Sequence, residues 1–345
     1  MTKDINIHDI ARKAGVSVAT VSRALNDNGP VSVKTRQRIQ QIAKEYDYKP
    51  NPIAKGFARQ RSETIGVILP ELVDEFFTEV LRGIDEEATR ANRYTLVSSS
   101  HDRRNIVEIL LEFMSSGRVD GVILMAPFLH GDIHGLLKKS KRPLVLLNSG
   151  DDLSHFPSFN FNNYQGAFAV TEHLIKHGYK KIATLSGPDG NHDAEERFRG
   201  FKDALQQADL PVQENFVVQG GFTLRSGYHG FMRLISQPDK PDAIFAANDM
   251  MAVGAYEAVK SLRLNIPVDI AVAGFDDIFL SRLLTPTLTT VHVPIHELAT
   301  KAVKHLVQMI DGKIDTNDVF HEEVSTGLVI GGSCGCTNYN NQSFI

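Results

Sequence analysis

Ala14-Gly15-Val16-Ser17-Val18-Ala19-Thr20-Val21-Ser22-Arg23 is the run on which the reading of this chain turns. Gly15 takes the left-handed conformation without a Cβ penalty, so it ends a helix. Two residues on, Ser17 offers a hydroxyl oxygen to unpaired helix amides, so it starts another. Upstream, Asn6 caps a first helix over Ile7–Ala14, and Asp9 sits in its first turn, where the dipole favours an anion. The second helix runs from Val18 to about Leu25. Two helices joined by a three-residue, glycine-containing turn form a helix-turn-helix. Ile10, Ala11, Val16, Val21 and Leu25 are the apolar set expected to fix their angle. The second helix presents Val18, Ala19, Ser22 and Arg23, short side chains around one long fork, which suits close approach to a groove floor. Ser32 caps a third helix, about Val33 to Tyr46, in which Ile39, Ile42, Ala43 and Tyr46 repeat at helical spacing.

Charge follows the same division. The first 63 residues hold 12 Lys+Arg and 6 Asp+Glu, a net of +6, whereas the whole 345-residue chain is at −4. A small basic module on an acidic body predicts a head that binds a polyanion. The length suits two or three domains. At 42% hydrophobic and 23% charged residues, the composition is that of a globular protein and excludes disordered, collagenous and coiled-coil classes. Two cysteines make no disulfide scaffold. No run of about 18 apolar residues suggests a membrane span, and the polar start has no secretory core. The expectation is a cytoplasmic protein.

Residues 7–57 closely resemble the DNA-binding head of the lactose/galactose repressor (LacI/GalR) family. Asp9-Ile10-Ala11, Ala14-Gly15-Val16-Ser17, Thr20-Val21-Ser22-Arg23, Val31-Ser32, Thr35-Arg36 and Tyr48-x-Pro50-Asn51 carry the resemblance. It implies an N-terminal all-α helix-turn-helix domain at 1–50 and a hinge at 51–63 that becomes helical on operator DNA and enters the minor groove. Pro52 suits a first helical position, and Gly56 makes the hinge a poor isolated helix, so folding coupled to binding fits. The DNA-contacting set it implies is Asn6, Ser17, Val18, Ala19, Thr20, Ser22, Arg23, Asn26, Ser32, Thr35, Tyr48, Asn51, Lys55 and Phe57. Phe57 stands where the family usually has a wedging leucine; phenylalanine is itself a minor-groove wedge.

Beyond Glu63, β-rich runs alternate with helical stretches. The expected strands are Thr64–Leu69, Tyr94–Ser98, Gly121–Met125, Leu144–Leu147 and Ser158–Phe161, then Lys181–Ser186, Phe216–Gln219, Ala243–Ala246, Ile270–Gly274 and Leu288–Val293. Continuously apolar runs suit strands buried on both faces of a parallel sheet. Two five-strand sets predict two doubly wound α/β subdomains. This region resembles the family's effector domain, which is like a periplasmic binding protein. It spans 64–330, with one subdomain at 64–161 and about 294–321, the other at 162–292 and about 322–330, and a tail at 331–345. Crossings are expected near Asn162, Val293 and Glu322. Asp193-Ala194-Glu195-Glu196-Arg197 and Gly274-Phe275-Asp276-Asp277 most resemble the galactose-repressor type.

Ligands of open α/β sheets bind beyond the carboxyl ends of strands. There the sequence places Phe77, Asn148, Phe161, Asp193, Arg197, Phe222, Asn248 and Asp276. Phe77, Phe161 and Phe222 suit stacking on a sugar face, and the polar residues suit hydroxyls. Plainer roles are open: Asn248 as a helix cap, Arg197 as an ion pair closing the subdomains, Asp276 as a loop group, Phe222 and Phe161 as core. One arginine disfavours a phosphate ester. The resemblance implies a ligand-gated regulator, more often a repressor, acting as a homodimer on palindromic operator DNA. A neutral sugar, galactoside-like as a first guess, is the expected effector, and neither membrane nor cofactor is expected. The alternative is a sugar-binding or sugar-active protein without a regulatory role. Gly331-Gly332-Ser333-Cys334-Gly335 matches a nucleophile elbow, but no Asp/Glu and His follow it. Cys334-x-Cys336 lacks a second ligand pair, so a loosely ordered, metal-free tail is expected. The 13 histidines form no cluster in the sequence, and no H-E-x-x-H or Walker motif occurs.

Overall fold

The computed structural model describes residues 5–25, 29–48, 61–70, 72, 74–99, 106–128, 142–149, 155–316 and 318–337. It divides into two compact units, 1–63 and 64–345.

In the first unit, α1 (Ile7–Ala14), α2 (Val18–Leu25) and α3 (Val33–Glu45) follow the capping logic closely. Asn6 Oδ1 accepts from the amides of His8 (2.9 Å) and Asp9 (3.2 Å), and Asp9 Oδ2 accepts from Asn6 N (3.2 Å). Gly15 closes α1 at φ 60°, a left-handed turn that lets Val16 N donate back to Ala11 O at 3.1 Å. Thr20 N donates to Ser17 Oγ, and Thr35 N to Ser32 Oγ, each at 3.2 Å. Ile10, Ala11, Ala14, Val21, Ala24 and Ile39 form a buried core, and Val16 and Leu25 cover its edge. Tyr46 departs from the expected apolar stripe. It caps the end of α3 and stays 42% exposed, with the Lys13 ammonium 4.2 Å from its ring centre and 2.8 Å from its hydroxyl.

In the second unit the strands are β1 (Thr64–Leu69), β2 (Tyr94–Ser99), β3 (Gly121–Leu124), β4 (Leu144–Leu147), β5 (Ser158–Phe161), β6 (Ile182–Ser186), β7 (Val217–Gln219), β8 (Ala243–Ala246), β9 (Ala271–Ala273), β10 (Thr290–His292), β11 (His321–Val324) and β12 (Gly327–Val329). The helices are α4 (Glu75–Arg90), α5 (Ile106–Ser115), α6 (Asn163–Lys176), α7 (His192–Gln207), α8 (Leu224–Ile235), α9 (Asp249–Ser261), α10 (Phe279–Leu283) and α11 (Ile295–Ile310). The first lobe is a parallel sheet in the order β11-β5-β4-β3-β1-β2, and the second a parallel sheet β7-β6-β8-β9. β3, β4 and β8 are buried along their whole length, as strands covered on both faces must be. Helices α4 and α11 bury Ile84, Leu298, Ala302 and Leu306 against the first sheet; α8 and α9 bury Phe231, Leu234, Met251 and Ala255 against the second.

Two expectations need correction. β10 joins the edge of the second sheet only through isolated parallel bridges, Ala273 with Thr289 and Asp276 with His292; its ladder is antiparallel, with β12. That partner lies some 35 residues downstream, beyond the reach of local pattern. β11 pairs parallel with β5, so the chain leaves the first lobe after Val324, two residues past Glu322. The stretch 331–337 is not loose. Gly332–Cys334 form a 3₁₀ turn, Ser333 Oγ donates to Val272 O (2.6 Å) and accepts from Thr289 N (2.7 Å), and Cys334 is fully buried. The fastening partners belong to β9 and the segment before β10, remote in sequence. Among the described residues, no helix is long and apolar enough to cross a membrane.

Candidate functional site

A cavity of about 330 Å³ lies between the two lobes, within the range of small-molecule sites. Its walls are the loops and opening helical turns after strands: Pro70, Asp74, Phe76 and Phe77 after β1, Met125, Pro127 and Phe128 after β3, Asn191, Asp193 and Arg197 after β6, Phe222 after β7, Asn248 after β8 and Asp276 after β9. Hydrogen bonds join the lobes beside it, among them His192 N to Pro127 O (3.0 Å), Phe279 N to Glu75 Oε1 (2.7 Å) and Asn148 Nδ2 to Asp193 Oδ2 (2.6 Å).

Arg197 organises the floor. It is 4% exposed; its Nε donates to Asn163 Oδ1 (2.7 Å) and its Nη1 to Ala247 O (2.6 Å). Its guanidinium lies 3.9 Å from the centre of the Phe275 ring, with Phe222 and Phe161 at 5.7 and 5.9 Å. Such ring faces attract a desolvated cation. Nη1 also approaches Asp276 Oδ1 to 3.2 Å, yet that oxygen, buried, has no hydrogen-bond partner. The contact has the distance of an ion pair without the alignment of a hydrogen bond. Burial pushes the Asp276 carboxyl up to about 7, against the pull of Arg197 and with the help of Asp74 and Asp193. Asp276 is held at a positive φ of 115°. Behind it Asp249 accepts from Thr290 Oγ1 (2.6 Å) and Ile278 N (3.0 Å), which fixes the loop.

The expected polar residues divide by what they already bond. Asp193 accepts from Asn163 Nδ2 (2.9 Å) and Asn148 Nδ2 (2.6 Å), and burial raises its pKa. Asn148 therefore supports Asp193 from behind and does not line the cavity. Asn248 lines it, but its Oδ1 caps α9 at Met251 N (2.9 Å) and its Nδ2 donates to Phe222 O (3.0 Å). Asn248 is thus a wall-building cap. Phe161 is 2% exposed and packed edge-on to Phe76; it is core beneath the site, not a stacking ring. Phe77 and Phe222 do line the cavity. Phe222 fits because Gly187 has no Cβ: one there would run into the Phe222 ring and Ala194.

Asn163, which bridges Asp193 and Arg197, was not identified from sequence; nor were Asp74, Phe76, Asn191 and Phe275. Asp74 caps α4 and Asn191 caps α7, so a cap signal directly after a strand marks both as cavity-facing loops. Asn163 follows a strand end only in the lobe-crossing segment, where pattern offers no cue. The charged lining is three carboxylates and one guanidinium, a set that repels anions and accepts from hydroxyl or amino donors.

The head carries a second candidate surface. Ser17, Ala19 and Arg23 are exposed on α2 and its cap, with Val18, Thr20 and Ser22 half-buried. No acidic residue occupies the first turn of α2 or α3. The hydroxyls pair locally, Ser17 Oγ with Thr20 Oγ1 (2.9 Å) and Ser32 Oγ with Thr35 Oγ1 (2.8 Å). Asn6 is occupied by its capping box. Tyr48 packs half-buried on the head core, and burial raises its phenol pKa. Arg36, which the contact set did not include, donates to Ala24 O (3.2 Å) and fixes the end of α2. Asn26, Asn51, Lys55 and Phe57 lie outside the described residues.

Residues 6–51 match the family model of bacterial regulatory proteins, lacI family, and residues 171–334 match a periplasmic binding protein-like domain. Catabolite control protein A of Priestia megaterium is 35% identical over 312 residues, 89% of this chain and 93% of that protein. Among solved structures, the lac repressor dimer bound to operator and the anti-inducer ONPF superposes with a TM-score of 0.84 at 28% identity, over 96% of this chain and 99% of that one. The complex of the transcriptional regulator CelR with cellobiose gives a TM-score of 0.72 at 26% identity, over 95% and 99%.

Proposed function

The chain belongs to the lacI family of bacterial regulatory proteins, DNA-binding regulators with a ligand-binding effector domain, and on that premise we propose that it is a repressor gated by a neutral sugar. The observation that carries the ligand class is Asp276, which lines the cavity beside a guanidinium and whose buried Oδ1 has no hydrogen-bond partner. A hydroxyl donating to this carboxylate while accepting from Arg197 satisfies both groups at once. Sugars supply such hydroxyls in pairs, and Phe77, Phe222 and Phe128 supply apolar faces for the ring. Anionic ligands meet three carboxylates. The solved relative CelR holds cellobiose, a ligand of this class.

A dimer sets two α2 helices in successive major grooves of a palindromic operator, with Arg23 reading a guanine edge through its fork. Effector binding shifts operator affinity only as far as its preference between two conformations allows, typically ~1–3 kcal/mol. The test is calorimetric titration of the full chain with cellobiose, ribose, galactosides, sugar phosphates and nucleosides, each repeated with operator fragments selected from the genome. The reading requires a neutral sugar to bind and to change operator affinity. Binding of a nucleoside and of no sugar overturns the ligand class.

A further inference from the structure

Far from the cavity, at the other end of α6, four soft ligands converge. His173 and His177 lie one turn apart at the end of that helix, and Cys334 and Cys336 come from the end of the described chain. Cys334 Sγ is 3.2 Å from His173 Nε2. Cys336 Sγ is 3.0 Å from His177 Nε2 and 3.8 Å from His173 Nε2. All four donor atoms fall within 4.8 Å of one another. A tetrahedron with Zn–S near 2.3 Å and Zn–N near 2.0 Å has edges of about 3.3–3.8 Å, and the observed separations straddle that range. Three local features hold the cluster in place. Gly335, at φ 89°, turns the chain so that both cysteines face one helix. Thr289 Oγ1 donates to Cys334 Sγ (3.0 Å), and Tyr179 OH donates to Cys334 O (3.2 Å). Such outer hydrogen bonds orient metal ligands. The donor set also spans burial from Cys334, fully inside, to His177, exposed, which leaves an entry path.

We propose that His173, His177, Cys334 and Cys336 form a Cys₂His₂ zinc site that ties the end of the chain to the second lobe. Four protein ligands leave no open position, so the site is structural and not catalytic. Binding displaces the two thiol protons, so affinity falls as the pH is lowered. It also closes a loop of some 160 residues, from α6 to the tail, and stabilises the lobe by mass action.

The test uses untagged full-length protein, stripped by chelator under reductant and titrated anaerobically with cobalt(II), then zinc. One cobalt per chain is expected, with the visible bands of a tetrahedral ion and a thiolate-to-cobalt charge-transfer band, both bleached by zinc. Cys336→Ser and His177→Gln, each at the accessible side of the cluster, should lose the charge-transfer intensity or weaken binding by more than the roughly 10–100-fold that loss of an outer partner costs. His296→Gln, on α11 and paired to Glu86, should change nothing. Far-ultraviolet circular dichroism and a cooperative thermal transition of the second unit in each variant show that it is folded. Wild-type protein without the thiolate band, or the same spectrum in the Cys336→Ser/His177→Gln double variant, overturns the site.

Discussion

Asp276→Asn is expected to stabilise the effector-binding unit at neutral pH while removing its response to ligand. The side chain is 7% exposed, and its Oδ1 has an ion-pair contact but no hydrogen bond. Burial, opposed by Arg197, leaves the carboxyl at about 7. An acid whose folded pKa lies above its unfolded value keeps a proton that the unfolded chain has already released. Stability is then greatest below the unfolded value near 4, falls as the pH rises toward about 7, and is level above that. Three pKa units at ~1.4 kcal/mol each set an upper bound of ~4 kcal/mol, and water in the open cavity brings the expected loss to about 1–4 kcal/mol. Asparagine has the shape of the protonated acid and no such titration. Its melting temperature should match wild type at pH 4.5 and exceed it at pH 8 by about 2–16 °C, at roughly 2–4 °C per kcal/mol for a unit of this size. Scanning calorimetry across that pH range reads the difference directly, and titration with whichever sugar binds wild type should show at least about a tenfold loss, the equivalent of ~1.4 kcal/mol. If the two proteins melt with parallel pH dependence, Asp276 is an ordinary ionised carboxylate and the reasoning from its burial fails.

Arg23→Ala should flatten the sequence preference of operator binding, with a loss of ~1–3 kcal/mol at one guanine position; a uniform weakening on every sequence in a binding selection would instead mark a phosphate contact. Gly187→Ala puts a methyl against the Phe222 ring and Ala194, so it should weaken effector binding without touching operator affinity in the absence of effector. Ile39→Ala empties part of the small head core and should cost about 2–5 kcal/mol there. Operator binding should then disappear while calorimetric ligand binding persists, and retained operator affinity would contradict the stated core.

The head was legible almost residue by residue because its determinants are local. Asn6, Gly15, Ser17 and Ser32 act on amides within a few positions, so caps and helix ends follow from composition alone. The parallel strands were legible from their apolar runs for the same reason. The pairing of β10 with β12 and of β11 with β5 was not, because register between distant segments has no local trace. At the cavity, position beyond a strand end identified Phe77, Asp193, Arg197, Phe222, Asn248 and Asp276 as neighbours. It could not say which of them face a ligand: Asn148 and Phe161 have the right types and place, but their partners fill the space before a ligand does. The His–Cys cluster was invisible because its halves are about 160 residues apart.

The crossing segments carry a mechanical consequence. Asn162 ends the first passage between the lobes, and it is laced to the third: its N–H donates to Val324 O (3.0 Å), its side chain to Glu323 Oε1 (2.6 Å), and its carbonyl accepts from Thr326 Oγ1 (3.4 Å). The next residue, Asn163, is the one that grips Asp193 and Arg197 at the cavity floor. The pivot and the floor are therefore adjacent links of one chain. A pull on the guanidinium is passed through Asn163 to the neighbouring residue of the crossing, Asn162. In such a linkage, a substitution at Asn162 or Thr326 that touches no ligand changes the stiffness of the pivot, and so registers as a change in how tightly the ligand is held.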